Sequence, residues 1–125
     1  MAKKYLKLED ITAYNIASEL SDYVWKIVSE WEWFAKRTVG AQFVGAVDSI
    51  AANIAEGFGR FHKKDKQKFY YNSRGSVYES AHWCKKAHKR KLFTNTQNDK
   101  IMSELRKLPK EINSLISYTE KRLTI

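Results

Sequence analysis

Four stretches of this chain set apolar residues at alternating steps of three and four, a spacing that fits packed amphipathic helices and is too regular for strands. The first carries Ala13, Ala17, Leu20, Val24, Ile27, Trp31 and Phe34 on one stripe, which predicts a helix over about 9–34. The second, over about 39–58, has Phe43, Val47, Ile50 and Ile54 as its stripe. Ala46, Ala51, Ala52 and Ala55 fill most of the remainder, as expected of a helix buried on several sides. A third runs over about 63–90. The fourth starts near Thr96 or Asn98, extends to about 122, and repeats the rhythm through Ile101, Leu105, Leu108, Ile112, Leu115 and Thr119. Pro109 is the only proline; it removes an amide donor and crowds the carbonyl of Leu105, which predicts a kink. Gly57 and Gly59 suit the left-handed conformation that ends helices and are expected to stop the second helix. Short connections then make neighbours antiparallel, so the expected fold is all-α, an up-down four-helix bundle forming one domain over 1–125.

The chain has 125 residues, enough for one domain to bury roughly two-thirds of its unfolded surface. Its first residues, Met1 to Lys7, lack the apolar core of a secretory signal, and no run reaches the roughly 18 apolar residues of a membrane span. Cys84 is the single cysteine, read as a buried thiol, so no intrachain disulfide or thiolate metal cluster is expected. These features point to the cytoplasm.

The net charge of +9 is unevenly spread, with residues 92–125 contributing only +2 of it. Residues 1–37 balance six basic against six acidic side chains, and 38–59 contain only Asp48 and Glu56 as charged groups. Residues 60–91 hold eleven Lys and Arg against Asp65 and Glu79, and also carry His62, His82 and His88. Such a segment suits a polyanion, or else is a solvated face that keeps the protein soluble.

On a helical wheel the third segment gathers Phe69, Ser73, Ser76, Ser80, Trp83, Cys84 and Ala87 on one side, the expected packing face, where small residues and the adjacent Gly75 permit close helix approach. Lys64, Tyr71, Arg74, Tyr78, His82, Lys85 and Lys89 fall opposite. With Arg60 at the segment's start, the cations offer charge to phosphates, while Tyr71 and Tyr78 offer flat surfaces on which unpaired bases stack. The alternative is that the tyrosines pack on a neighbouring subunit. A further line on the first helix, Ile11, Tyr14, Ser18, Ser21 and Trp25, would face water in a lone bundle, so self-association is expected.

The run Ser49-Ile50-Ala51-Ala52-Asn53-Ile54-Ala55-Glu56-Gly57-Phe58-Gly59-Arg60, followed by Phe69 and by Arg74-Gly75-Ser76-Val77-Tyr78-Glu79, resembles the signature of a bacterial four-helix bundle family. That family is named for proteins encoded in intervening sequences of 23S ribosomal RNA genes. The resemblance covers about 8–122. It implies a left-handed up-down bundle, a ring of five subunits, no catalytic residues, and kinship with the accessory protein of diversity-generating retroelements, which binds nucleic acid and a reverse transcriptase. Within the signature, Asn53 and Glu56 stand at i and i+3. They are placed to bond Ser76, Arg74 or the backbone beside Gly75 on the third helix, or else Glu56 and Arg60 contact a partner.

Enzymatic chemistry finds no support. Glu79 and His82 have the Glu-x-x-His spacing of di-iron bundles, but no second copy exists. There is no Gly-rich phosphate loop, and nothing in the sequence around Cys84 marks it as an activated nucleophile. No cofactor and no metal are therefore expected. The functional expectation is a basic, homo-oligomeric scaffold that associates with RNA or DNA and presents it to a partner enzyme such as a reverse transcriptase. The alternative is a scaffold whose ligand is only protein.

Overall fold

The computed structural model describes residues 7–122; the signal-free start read from the sequence falls, apart from Lys7, outside the described residues. After a 3-10 turn at Leu8–Asp10, α1 spans Thr12–Ser29. The next helix, α2, covers residues 33–59 as an α turn at Trp33–Ala35, a π turn at Lys36–Gly40 and an α-helix over Ala41–Gly59. Then come α3, Lys63–Lys89, and α4, Asn95–Arg122. Among the described residues there is no strand. Each helix packs on its neighbour in sequence, and α4 returns to α1. Cross-helix contacts run in opposite order along α3 and α4, from Gln67 with Glu120 through Arg74 with Asn113 to Cys84 with Asn98, so the pair is antiparallel.

The stripes on α1, α2 and α4 form the core. Ala17, Val24, Phe43, Val47, Ile50, Ile54, Ile101, Leu108 and Ile112 are fully buried. At one end Trp31 and Phe43 meet Phe93 edge to face, with ring centroids 6.1 and 6.3 Å apart. The opposite flank of α2 is exposed at Gly45, Ala52 and Glu56, so this helix is amphipathic and not buried on several sides.

The first helix stops five residues before the expected end. Glu32 accepts hydrogen bonds from the amides of Phe34, at 3.0 Å, and Ala35, at 2.7 Å. It caps a new helix by satisfying amides that have no helical partner. Phe34 therefore leaves the predicted core stripe and is exposed. The second line on α1 is also largely covered: Ile11 is buried, and the Ser21 hydroxyl donates to Asp48 Oδ1 on α2, leaving Trp25 as the member that faces solvent.

No glycine has positive φ, so Gly57 and Gly59 do not end α2 by a left-handed turn. The left-handed residue is Lys91, φ 61°, after α3. There the amide of Leu92 donates to Ala87 O and that of Lys91 to His88 O, both at 3.0 Å, the paired closure of a Schellman turn. α4 opens with a reciprocal capping box, Thr94 N to Gln97 Oε1 at 2.9 Å and Gln97 N to Thr94 Oγ1 at 3.1 Å. It runs as one helix through Pro109.

The packing face of α3 is rotated from the expected one. Tyr70 and Val77 join Ser73, Ser80, Cys84 and Ala87 in the core, whereas Phe69, Ser76 and Trp83 are half-buried on the flank. Gly75 faces open space, with nothing within 4 Å of the point a Cβ would occupy, and serves no close approach. Asn53 and Glu56 do not reach α3 by hydrogen bond. Asn53 Nδ2 donates to Ser49 O at 2.8 Å, and Glu56 pairs with Arg60 Nε at 3.1 Å, both along their own chain segment. The buried polar link between α2 and α3 is instead Ser73 Oγ donating to Ile50 O at 2.7 Å.

Candidate nucleic-acid interface

Rotation of α3 turns Arg74 of the expected outer row onto the flank and leaves its other members exposed. Lys64, Tyr71, Tyr78 and Lys85 recur every seven residues, which drifts by only about 20° per repeat and keeps them in line, about 10 Å apart along the axis. All four are exposed, as are His82 and Lys89. Tyr78 is 64% exposed and Tyr71 49%. A helix whose inner face holds Tyr70, Val77 and Cys84 must turn this row outward.

The structure sorts the cations of this segment into two groups. Arg60 is ion-paired with Glu56 and lies 4.7 Å over the Phe69 ring. Arg74 is half-buried; its Nη1 donates to Asn113 Oδ1 at 2.7 Å and its guanidinium lies 4.8 Å over Tyr71. Lys63 reaches Glu120, and Lys66 donates to the carbonyls of Phe58, at 2.8 Å, and Gly57, at 3.4 Å, capping the end of α2. Partial burial lowers the pKa of Lys66. By contrast Lys64, Lys68, Lys85 and Lys89 enter none of the ion pairs formed among the described residues. They can neutralise phosphates without first breaking an internal contact. Arg60 and Arg74, named from the sequence as binding residues, are held in the fold, and one face of Tyr71 is covered by Arg74. Tyr78 is the more available platform.

The residue that sequence reasoning missed here is Phe61, in the turn between α2 and α3, which is 70% exposed. Its signal is an aromatic outside every three-four stripe and set among cations. Lys68 is a second omission, exposed one turn after Lys64.

The remaining reactive groups are directed elsewhere. Glu79 accepts from Trp83 Nε1 at 3.4 Å, and His82 stacks edge to face on Trp83 at 4.8 Å, so this pair does not converge. No group of three or more His, Cys, Asp or Glu placed to hold a metal ion occurs among the described residues. Cys84 is a buried thiol whose pKa is pushed up to about 11 by burial, against an opposing effect of Lys85. That places it far from a reactive thiolate. No helix among the described residues is long and apolar enough to cross a membrane.

Comparison with known proteins agrees with this architecture. A crystal structure of a Bacteroides thetaiotaomicron protein of unknown function, from the S23 ribosomal protein family, superposes with a TM-score of 0.69 at 18% identity, covering 85% of this chain and 99% of that one. At such identity the likeness speaks for the fold. No curated protein matches. The family model described as 23S rRNA-intervening sequence protein matches residues 9–114, which takes in the signature on α2 and α3. The chain therefore belongs to the 23S rRNA-intervening sequence protein family.

Proposed function

We propose that this protein is a non-enzymatic, homo-oligomeric scaffold of the cytoplasm that binds single-stranded RNA or DNA along the outer row of α3 and presents it to a partner enzyme such as a reverse transcriptase. The observation that carries the reading is the row itself: Lys64, Lys85 and Lys89 free of ion pairs among the described residues, with Tyr71 and Tyr78 exposed between them. Free cations supply attraction to phosphates, and exposed rings supply stacking that tolerates any base. A ring of five subunits, which the family resemblance implies, repeats the row and multiplies the contacts. Self-association is further supported by an apolar groove of about 470 Å³ between α1 and α2, lined by Trp25, Val28, Gly40, Ala41, Val44 and Gly45.

Fluorescence anisotropy with a labelled 20-mer of dT or rU, across a salt series, tests the reading. Affinity should fall steeply with salt, each neutralised phosphate contributing about −0.7 to the slope of log affinity against log salt. Replacing Lys64, Lys85 and Lys89 together by Ala should flatten the slope by about 2 per engaged protomer while leaving helix content unchanged. Light scattering on the same samples gives the subunit count. A protein-only scaffold is favoured by Trp33 and Phe34, 68% and 65% exposed at the start of α2. It becomes the better reading if the parent binds neither oligomer at low salt.

A further inference from the structure

Phe61 is the most exposed large apolar side chain among the described residues, at 70%. Two neighbouring phenylalanines have structural work. Phe58 packs against the core under the Lys66 ammonium, 5.6 Å from its ring centroid, and Phe69 lies beneath the Arg60 guanidinium. Phe61 has no such role. Its ring contact is with His62, edge to face at 5.1 Å, and His62 is itself exposed. The turn does not require an aromatic there, since its backbone is closed by Arg60 N to Gly57 O and by Lys66 N to His62 O. A polar residue would close it equally well and avoid the cost of an apolar ring in water.

The surroundings decide what such a ring suits. Exposed Lys64 and Lys68 follow within two turns, and the row of Tyr71 and Tyr78 continues from Lys64 along α3. Taking the helical rise of about 1.5 Å per residue, Lys64 at the head of the row stands about 10 Å before Tyr71 and Tyr71 about 10 Å before Tyr78, and Phe61 lies in the extended turn just ahead of the helix. Exposed rings thus recur from that turn to Tyr78, about 22 Å along α3 from its first residue, with unpaired Lys64 and Lys68 between Phe61 and Tyr71, a span suited to the shorter single-strand sites of a few nucleotides.

We infer that Phe61, on the turn leading into α3, is a base-stacking residue that extends the nucleic-acid row beyond the helix and holds one end of a bound single strand. This inference rests on the reading of α3 as a nucleic-acid surface and adds a residue to it. A flat ring without a hydroxyl stacks on any base, so the contact is sequence-tolerant, while Lys64 and Lys68 engage the flanking phosphates.

The test compares Phe61→Ala, Phe61→Leu and Phe61→Trp in the full chain, titrated at low salt against labelled dT 20-mer and against a 20-mer of abasic deoxyribose phosphates. Phe61→Ala and Phe61→Leu should weaken dT binding about 5- to 100-fold and Phe61→Trp should retain it. All should bind the abasic strand like the parent, with unchanged oligomer mass by light scattering. If Phe61→Ala binds dT like the parent, or loses both strands equally, Phe61 is no stacking residue although the α3 row still stands. A fall in oligomer mass in Phe61→Ala also overturns the inference, since the ring then contacts another subunit. Failure of the parent to bind either strand removes the whole interface, an outcome distinguishable from the loss of Phe61 alone.

Discussion

Gly57 on α2 lies against the ring of Tyr70 on α3: a Cβ at Gly57 would come within 2.7 Å of Tyr70 Cε1, 2.9 Å of Cδ1 and 3.0 Å of the Lys66 carbonyl oxygen. Tyr70 is 2% exposed, so its ring is enclosed by close-packed neighbours and moves only by displacing them. Replacing Gly57 by Ala should therefore overpack this crossing and cost about 1–3 kcal/mol in urea unfolding. Gly75, with open space around it inside α3, is the control. Gly75→Ala should stabilise by about 0.5–1 kcal/mol through the helix preference of alanine. Equal effects of the two substitutions would contradict the close contact.

Ser73 and Ser80 are both fully buried on α3, but only one is satisfied. Ser73 Oγ donates to Ile50 O, whereas Ser80 Oγ has no hydrogen-bond partner. Ser73→Ala should cost about 1 kcal/mol or more, because the lost bond is also a fully buried polar tie between α2 and α3. Ser80→Ala should be neutral or stabilising, since it removes a desolvated hydroxyl that gains nothing in return. Thermal melts of the two variants separate these outcomes by sign.

Lys91 holds the left-handed conformation that closes α3, and a side chain in that region costs about 1 kcal/mol relative to glycine. Lys91→Gly should raise stability by a similar amount while keeping the two hydrogen bonds of the turn. A lower melting temperature for this variant would show that the Lys91 side chain contributes contacts that outweigh the strain.

Alkaline pH should unfold the protein through two buried groups. Burial raises the pKa of Tyr70 from 10.0 to about 12 and that of Cys84 from 9.0 to about 11. In both, the folded state holds its proton more tightly than the unfolded state. The contribution to stability is thus complete below pH 9 and is lost as pH rises through about 9–11 for Cys84 and 10–12 for Tyr70. Each group contributes a slope of up to about 1.4 kcal/mol per pH unit in its window. Tyr70→Phe keeps the ring against Gly57 and should remove the upper part of this loss. Urea midpoints measured from pH 8 to 11 check the point, and an unchanged pH profile in Tyr70→Phe would refute the assignment.

Much of the architecture was readable because three of the four helices have strong contrast between their faces. The stripes of Ile and Leu on α4 and of Phe, Val and Ile on α2 can be buried only one way, and 3.6-residue periodicity then sets their orientation. The localisation of charge to residues 60–91, and the outward row of Lys64, Tyr71, Tyr78, Lys85 and Lys89, follow from the same arithmetic. What sequence could not decide lies where that contrast is weak. The inner face of α3 mixes serines and alanine with aromatics, so periodicity places the outer row but does not tell which of Phe69 and Tyr70 lies at the centre of the packing face. Tertiary packing decides it, because the missing side chain at Gly57 leaves room for the ring of Tyr70 against α2. The break after Ser29 is of the same kind: the apolar rhythm runs on through Trp31 and Phe34, and only the capping of free amides by Glu32 ends one helix and begins the next. Partner choice among cations is likewise tertiary. Arg74 and Lys64 are both basic residues on one face in sequence, but Asn113 from α4 comes within reach of Arg74, and among the described residues no acidic partner comes within reach of Lys64.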